Sequence, residues 1–138
     1  MTASESNSDR LTRPLLGDAA IVEAVDAARA FGRSCSLADE DLVRLCIIVE
    51  ELIANLHDHG GLTDRDEVEL TLVAEPAYIH VTIVDPGKAF DPRTAPNSSQ
   101  PERGGGAGLA LVRAWAEIIS YEVTGAGNRL ELLMPRRS

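Results

Sequence analysis

Three polar residues, Glu51, Asn55 and His59, recur every four positions in the segment VEELIANLHDHGG (49–61). On an α-helix this spacing places them in one row along the helix axis. Apolar residues flank the row, so the Glu51 carboxylate and the Asn55 amide are expected at the margin of the core, where both need partners. A metal ion with bound water would satisfy them, and so would the backbone of a neighbouring loop.

Two histidines and an aspartate, His57, Asp58 and His59, close the same segment and could suggest a zinc site. Residues two apart on a helix point in different directions, which disfavours joint coordination of zinc by the two imidazoles. The chain also contains no HExxH motif of the kind that zinc proteases carry on a helix.

A cluster of glycines in ERGGGAGLALV (102–112) stops where an apolar helical segment begins. Backbone N–H groups at a helix N-terminus form an anion site that suits phosphate above all. A flexible hinge would also explain the glycines, although it does not explain their position at a helix start.

Asp85 ends a predicted strand and is followed by Pro86-Gly87, which is first of all a turn. The same position would let the carboxylate accept a hydrogen bond from a ligand amine, and Gly87 would let a flat ring approach the backbone.

Two familiar nucleotide motifs do not fit the glycines. A P-loop requires Ser or Thr after Gly-Lys and a glycine five positions before it, whereas this chain has Ala89 and Thr82 there. A Rossmann fingerprint requires its glycines directly after a strand, and here they follow a long loop.

The elements that position these residues follow from the apolar periodicity. The predicted elements are, in order, a strand at 11–16, helices at 18–33 and about 36–59, strands around 68–72 and 79–83, a helix at 109–120, and strands at 119–125 and 128–134. This order indicates an α+β fold, a two-layer sandwich with a mixed, mostly antiparallel sheet and helices on one face.

Length and composition limit the class of protein. The 138 residues predict one domain, at 11–138, after a polar, disordered tail at 1–10. A net charge of −9 with a single lysine shows no basic stripe for nucleic acid. No apolar run is long enough to span a membrane, no signal peptide is evident, and Cys35 and Cys46 predict no disulfide framework, so a cytoplasmic location is expected.

Three segments, taken in this order, resemble the nucleotide-binding boxes of the GHKL ATPases, the Bergerat-fold family of gyrase, histidine kinases and MutL. ELIANLHDHG (51–60) resembles the N box, DPGKAF (85–90) the G1 box and GGGAGLALV (104–112) the G2 box. The short length and the strand–helix–helix start look most like the anti-sigma-factor serine/threonine kinases. The resemblance covers roughly residues 10 to 135.

The resemblance implies ATP and Mg²⁺ as cofactors and assigns roles to particular residues. Glu51 would orient or deprotonate the attacking hydroxyl, Asn55 would hold Mg²⁺, and Asp85 would accept from the adenine amino group, with Gly87 giving the ring room. Ala89 stands where the G1 box often has its second glycine. Residues 91–103 would form a lid over ATP, and the residues expected near the phosphates and the helix start are Arg103, Gly104, Gly106, Gly108 and Leu109.

The same resemblance implies a bacterial partner-switching regulator. It would bind a sigma factor, phosphorylate an anti-anti-sigma protein of the STAS fold, and form a homodimer. The alternatives are a non-catalytic binding module, the ATPase part of a histidine kinase, and an α+β domain without nucleotide. The histidine kinase would require a phosphoacceptor helix pair, for which about ten polar residues before the first strand leave no room.

Overall fold

In the described part of the chain, six strands form one sheet, in the order β1-β2-β3-β4-β6-β5, which is one layer of the molecule. The structure, a computed structural model, describes residues 5–6, 9–94 and 107–137. The strands are β1 (Glu5–Ser6), β2 (Arg10–Leu16), β3 (Glu67–Ala74), β4 (Tyr78–Asp85), β5 (Glu117–Thr124) and β6 (Gly127–Pro135). Every pairing between described strands is antiparallel, where the sequence predicted a mixed, mostly antiparallel sheet.

The strands bury alternate side chains because successive residues point to opposite faces of the sheet. In β4, Ile79, Val81 and Ile83 are buried, whereas His80 and Thr82 between them are half-buried on the other face. Asp85 continues the inward series and is the last residue of the strand. The alternation therefore carries a carboxylate into the space beneath the helices.

Among the residues that the structure describes, three helices form the second layer: α1 (Ala20–Ser34), entered through a short 3-10 turn (Gly17–Ala19), α2 (Asp39–His59) and α3 (Ala107–Trp115). α2 packs against both α1 and α3. A single core of buried residues joins the layers; its members include Phe31, Leu45 and Ile53 from the helices and Leu70, Val81 and Leu132 from the sheet. The predicted two-layer α+β class is confirmed.

The boundary between α3 and β5 differs from the prediction. The helix expected at 109–120 ends at Trp115, and β5 begins at Glu117. Ile118 pairs with Leu132 of β6, and Tyr121 pairs with Leu130. β-Branched and aromatic side chains suit such pairing, and the non-local partner decides a segment whose local pattern also fits a helix.

The N-terminal segment also differs in part from the prediction. β2 begins at Arg10, and the two-residue strand β1 (Glu5–Ser6), inside the predicted tail, pairs with it. Both cysteines are free thiols and partly buried. Within the described ranges, no helix is both long and apolar enough to cross a membrane.

Candidate functional site

Asp85 provides a buried carboxylate in a pocket between α2 and the sheet, with only 5% of the residue exposed. Its Oδ1 accepts hydrogen bonds from the Gly87 N–H, at 2.8 Å, and from Asn128 Nδ2, at 3.1 Å. Among the described residues, Oδ2 has no hydrogen-bond partner. Asp85 therefore keeps one acceptor oxygen for an amine of a ligand.

The pocket around Asp85 is mostly apolar. Its cavity volume is only about 20 Å³, and the pocket is partly open to solvent. Its lining residues are Leu52, Asn55, Leu56, Ile83, Asp85, Phe90, Pro92, Tyr121 and Leu130. Aliphatic walls with one or two convergent polar groups suit a flat heteroaromatic ring that carries an amino group.

Asn128 is a site residue that was not predicted from the sequence. It is 3% exposed and stands opposite Asp85 in the β4–β6 pairing. Besides Asp85, its Nδ2 donates to the carbonyls of Gly87, at 2.9 Å, and Lys88, at 3.3 Å. In the sequence, Asn128 belongs to an ordinary turn, GAGN, and only the non-local strand pairing places it in the site.

Gly87 allows a close approach of protein backbone. A Cβ atom there would lie 2.5 Å from the Gly60 carbonyl oxygen and 2.9 Å from Leu62 Cδ2. The Lys88 N–H also donates to the Gly60 oxygen, at 2.7 Å. The loop after β4 is thus docked on the end of α2.

Ala89 is exposed and does not line the pocket, so the structure does not bring this predicted residue to the site.

Asn55 lies on α2 and lines the same pocket. It is 6% exposed, and its Nδ2 donates to the Glu51 carbonyl at 2.7 Å. Because a carbonyl can only accept, this bond identifies the nitrogen and leaves Oδ1 as the other amide atom. Oδ1 has no partner among the described residues, and an amide oxygen is a suitable ligand for Mg²⁺.

Glu51, one helical turn before Asn55, is half-buried against α3. A Cβ atom at Gly108 would lie 2.5 Å from Glu51 Cδ and within 2.7 Å of both carboxylate oxygens. A glycine at this position therefore lets the carboxylate lie against the first turn of α3, where the helix dipole favours negative charge. Leu109, the next residue, is buried and anchors that turn in the protein interior.

His59, the third member of the polar row, stacks on Phe90. Their ring centroids are 4.9 Å apart and the planes differ by 14°. The Phe90 N–H in turn donates to the hydroxyl oxygen of Tyr121, at 2.7 Å. Burial raises the pKa of the Tyr121 phenol. Phe90, the last residue of DPGKAF, and Tyr121 had no role in the prediction from the sequence.

The described residues contain no group of three histidine, cysteine or acidic side chains that could hold a metal ion alone. His57 lies with Nδ1 3.1 Å from the Ile53 carbonyl oxygen. Mg²⁺ usually takes one or two protein ligands and completes its shell with substrate phosphates and water, so Asn55 fits that kind of site.

Of the predicted residues, Arg103, Gly104 and Gly106 lie outside the described residues, as does the lid from residue 95 to 103.

A family model described as "Histidine kinase-like ATPase domain" matches residues 17–134. The match runs from the turn before α1 almost to the end of β6, and it therefore includes Glu51, Asn55, Asp85 and Gly108. Comparison with curated proteins finds no significant match.

Proposed function

Because the chain belongs to the histidine kinase-like ATPase domain family, we propose that it is an ATP-dependent serine/threonine protein kinase of the anti-sigma regulatory type. In this proposal it phosphorylates a STAS-type anti-anti-sigma protein and sequesters a sigma factor. Family membership implies ATP binding; the acceptor, the partners and the requirement for Mg²⁺ are part of the proposal.

One observation carries the proposal: the Glu51 carboxylate lies against the first turn of α3, one helical turn from Asn55 in the pocket of Asp85. Three groups therefore lie in order from α3 to the end of β4: the Glu51 carboxylate, which can accept a proton, the Asn55 amide oxygen, which can ligate a metal, and the Asp85 carboxylate, which can accept from an amine. This is the order in which γ-phosphate, metal and adenine would lie in a bound nucleotide.

Each residue has a defined task in this arrangement. Asp85 Oδ2 would accept from the adenine amino group, and the aliphatic lining would hold the faces of the ring. Asn55 Oδ1 would ligate Mg²⁺, which when bound neutralises charge on the phosphates. The N–H groups of the first turn of α3 would bind phosphate oxygens. Glu51 would take the proton of an attacking serine or threonine hydroxyl.

The first test is calorimetric titration of ATP, with and without Mg²⁺, on the wild type and on Asn55→Ala. We expect Mg²⁺-dependent binding that the substitution abolishes. Glu50→Ala, at an exposed position of the same helix, is the control. An Asn55→Ala protein that binds Mg·ATP as the wild type does would contradict the metal role of Asn55.

The second test concerns the acceptor. We would incubate the protein with γ-labelled ATP and a panel of STAS-domain proteins, and locate the label by mass spectrometry. Label on a serine or threonine of one STAS protein is the expected result. Binding of ATP without transfer to any of them would favour the alternative, a non-catalytic nucleotide-binding module.

A further inference from the structure

We propose that Tyr121 and Arg113 are positioning residues that hold residues 90–92, the wall segment, in place as one side of the nucleotide pocket. The inference rests on the proposed ATP site and extends it to β5 and α3, elements that carry none of the residues assigned to the adenine. Affinity for the nucleotide would then depend on two polar groups, the Tyr121 hydroxyl and the Arg113 guanidinium, that act through the main chain of the wall segment.

The wall segment is part of the pocket, since both Phe90 and Pro92 line it. Tyr121 holds its first residue by accepting the Phe90 N–H at 2.7 Å. Arg113 holds its last residue, because Nε and Nη2 donate to the Pro92 carbonyl at 3.0 and 2.6 Å. Both contacts are made to the main chain, so they fix the course of the backbone.

A third contact orients the side chain of the segment. The Phe90 ring stacks on His59 at the end of α2, with centroids 4.9 Å apart. Three separate elements therefore hold the two ends of the wall segment: α2 holds the Phe90 ring, β5 the Phe90 amide and α3 the Pro92 carbonyl. A wall segment that is already ordered before the ligand binds lowers the entropic cost of binding.

Neither polar contact is needed to keep its own element in place. β5 pairs with β6 along its length through the main chain. α3 is anchored by Leu109 and Val112, both buried. Removing the phenol oxygen or the guanidinium should therefore release the wall segment and leave the sheet and the helix where they are.

The test compares Tyr121→Phe and Arg113→Met with two control variants. Tyr121→Phe keeps the ring in the pocket and removes only the acceptor oxygen. Tyr78→Phe makes the same change on the opposite face of the sheet, and Arg29→Met removes an arginine of α1 whose side chain is 43% exposed. We expect each test variant to raise the Kd for Mg·ATP by about 3- to 10-fold, the usual range for one or two hydrogen bonds, and the controls to leave it unchanged.

A second measurement tests the order of the wall segment directly, in the absence of nucleotide. Hydrogen exchange of the Phe90 amide should be faster in Tyr121→Phe than in the wild type, whereas exchange of the β5–β6 amides should be the same in both. Unchanged exchange at Phe90, or an unchanged Kd in both test variants, would overturn the inference.

The two proposals fail in different ways. If the wild type does not bind ATP, the proposed function is wrong, and exchange at Phe90 still decides whether Tyr121 holds the segment. If the wild type binds ATP and neither test variant weakens binding, the function stands and the inference is wrong. Arg113→Lys, which keeps one donor group, should fall between the wild type and Arg113→Met.

Discussion

At the residue scale, two side chains of the site each have one polar atom hydrogen-bonded within the protein and one oxygen left for a ligand. Asp85 commits Oδ1 to Gly87 and Asn128, and Asn55 commits Nδ2 to a helix carbonyl. In both cases the remaining oxygen has no partner among the described residues. The internal bonds fix the orientation of these side chains before any ligand is present, which lowers the cost of binding.

Replacing Asp85 by asparagine keeps the shape of the side chain and removes its charge. We expect Asp85→Asn to weaken ATP binding by about 1–3 kcal/mol, because the adenine amino group loses a charged acceptor. Calorimetric titration measures the change, with Asp26→Asn on the exposed face of α1 as control. An equal loss for GTP, which has an oxygen in place of that amino group, would argue against contact between Asp85 and adenine.

Glu51 is tested by the isosteric change to glutamine, which removes the base and keeps the volume beside Gly108. We expect Glu51→Gln to retain nearly wild-type affinity for ATP and to lose phosphate transfer to the STAS protein. Glu50→Gln, the exposed neighbour on α2, is the matched control. Transfer that persists in Glu51→Gln would show that another group takes the hydroxyl proton.

The two thiols provide a pH-dependent prediction. Burial raises the pKa of both Cys35 and Cys46 above the usual value, so the folded state favours the neutral thiols. Their stabilising effect is complete below the unfolded pKa of about 9 and is lost as the pH rises through the folded values. Iodoacetamide should therefore label the native protein at pH 8 more slowly than the protein in urea. Equal rates would contradict burial of the thiols.

At the element scale, α2 is the part of the molecule that aligns the site. Gly60, directly after its last residue, accepts a hydrogen bond from Lys88 in the loop after β4. Glu51, in the second half of the helix, lies against α3. The apolar period of 3.6 residues predicted α1 and α2 to within three residues at each end, because both helices present one clear stripe to the core. The segment LALVRAWAEIIS was predicted as a helix over 109–120, and its last residues belong instead to β5 because they pair with β6.

The contact between α2 and α3 depends on the absence of a side chain at Gly108. Alanine is a better helix former than glycine by up to about 1 kcal/mol, so Gly108→Ala should have little effect on the melting temperature. Its Cβ would lie 2.5 Å from Glu51 Cδ, and the carboxylate would have to move. We therefore expect phosphate transfer to fall by at least about 10-fold, the scale on which small displacements of a reacting group act.

Gly125→Ala is the control for this substitution, because a Cβ there meets no atom within 4 Å. Phosphate transfer and thermal melting should be measured on both variants. Gly108→Ala with full transfer activity would show that the carboxylate of Glu51 can work from another position.

At the scale of the whole molecule, the order of the elements in the sequence was sufficient to predict the fold class, and the order of the strands in the sheet was not. β6 lies between β4 and β5. That arrangement places Asn128 opposite Asp85 and brings Tyr121 to the pocket. The polar row, the glycines and the segment DPGKAF, which ends at Phe90, could be recognised from local sequence, whereas Asn128 and Tyr121 enter the site through contacts between distant segments.

A ligand that binds only the folded state stabilises the whole domain, so nucleotide binding should be visible as a thermal shift. At a concentration of Mg·ATP 100 times the Kd, the added stability is about 2.7 kcal/mol, which corresponds to a rise in Tm on the order of 10 °C for a chain of this size. We expect Mg·ATP to raise the Tm, Asp85→Asn to reduce the rise, and tripolyphosphate to produce a smaller one, because it offers phosphates without adenine. Scanning fluorimetry at matched concentrations measures all three. An equal rise with ATP and tripolyphosphate would locate binding at the phosphates alone, and no rise with either would mean that the pocket of Asp85 does not bind this nucleotide.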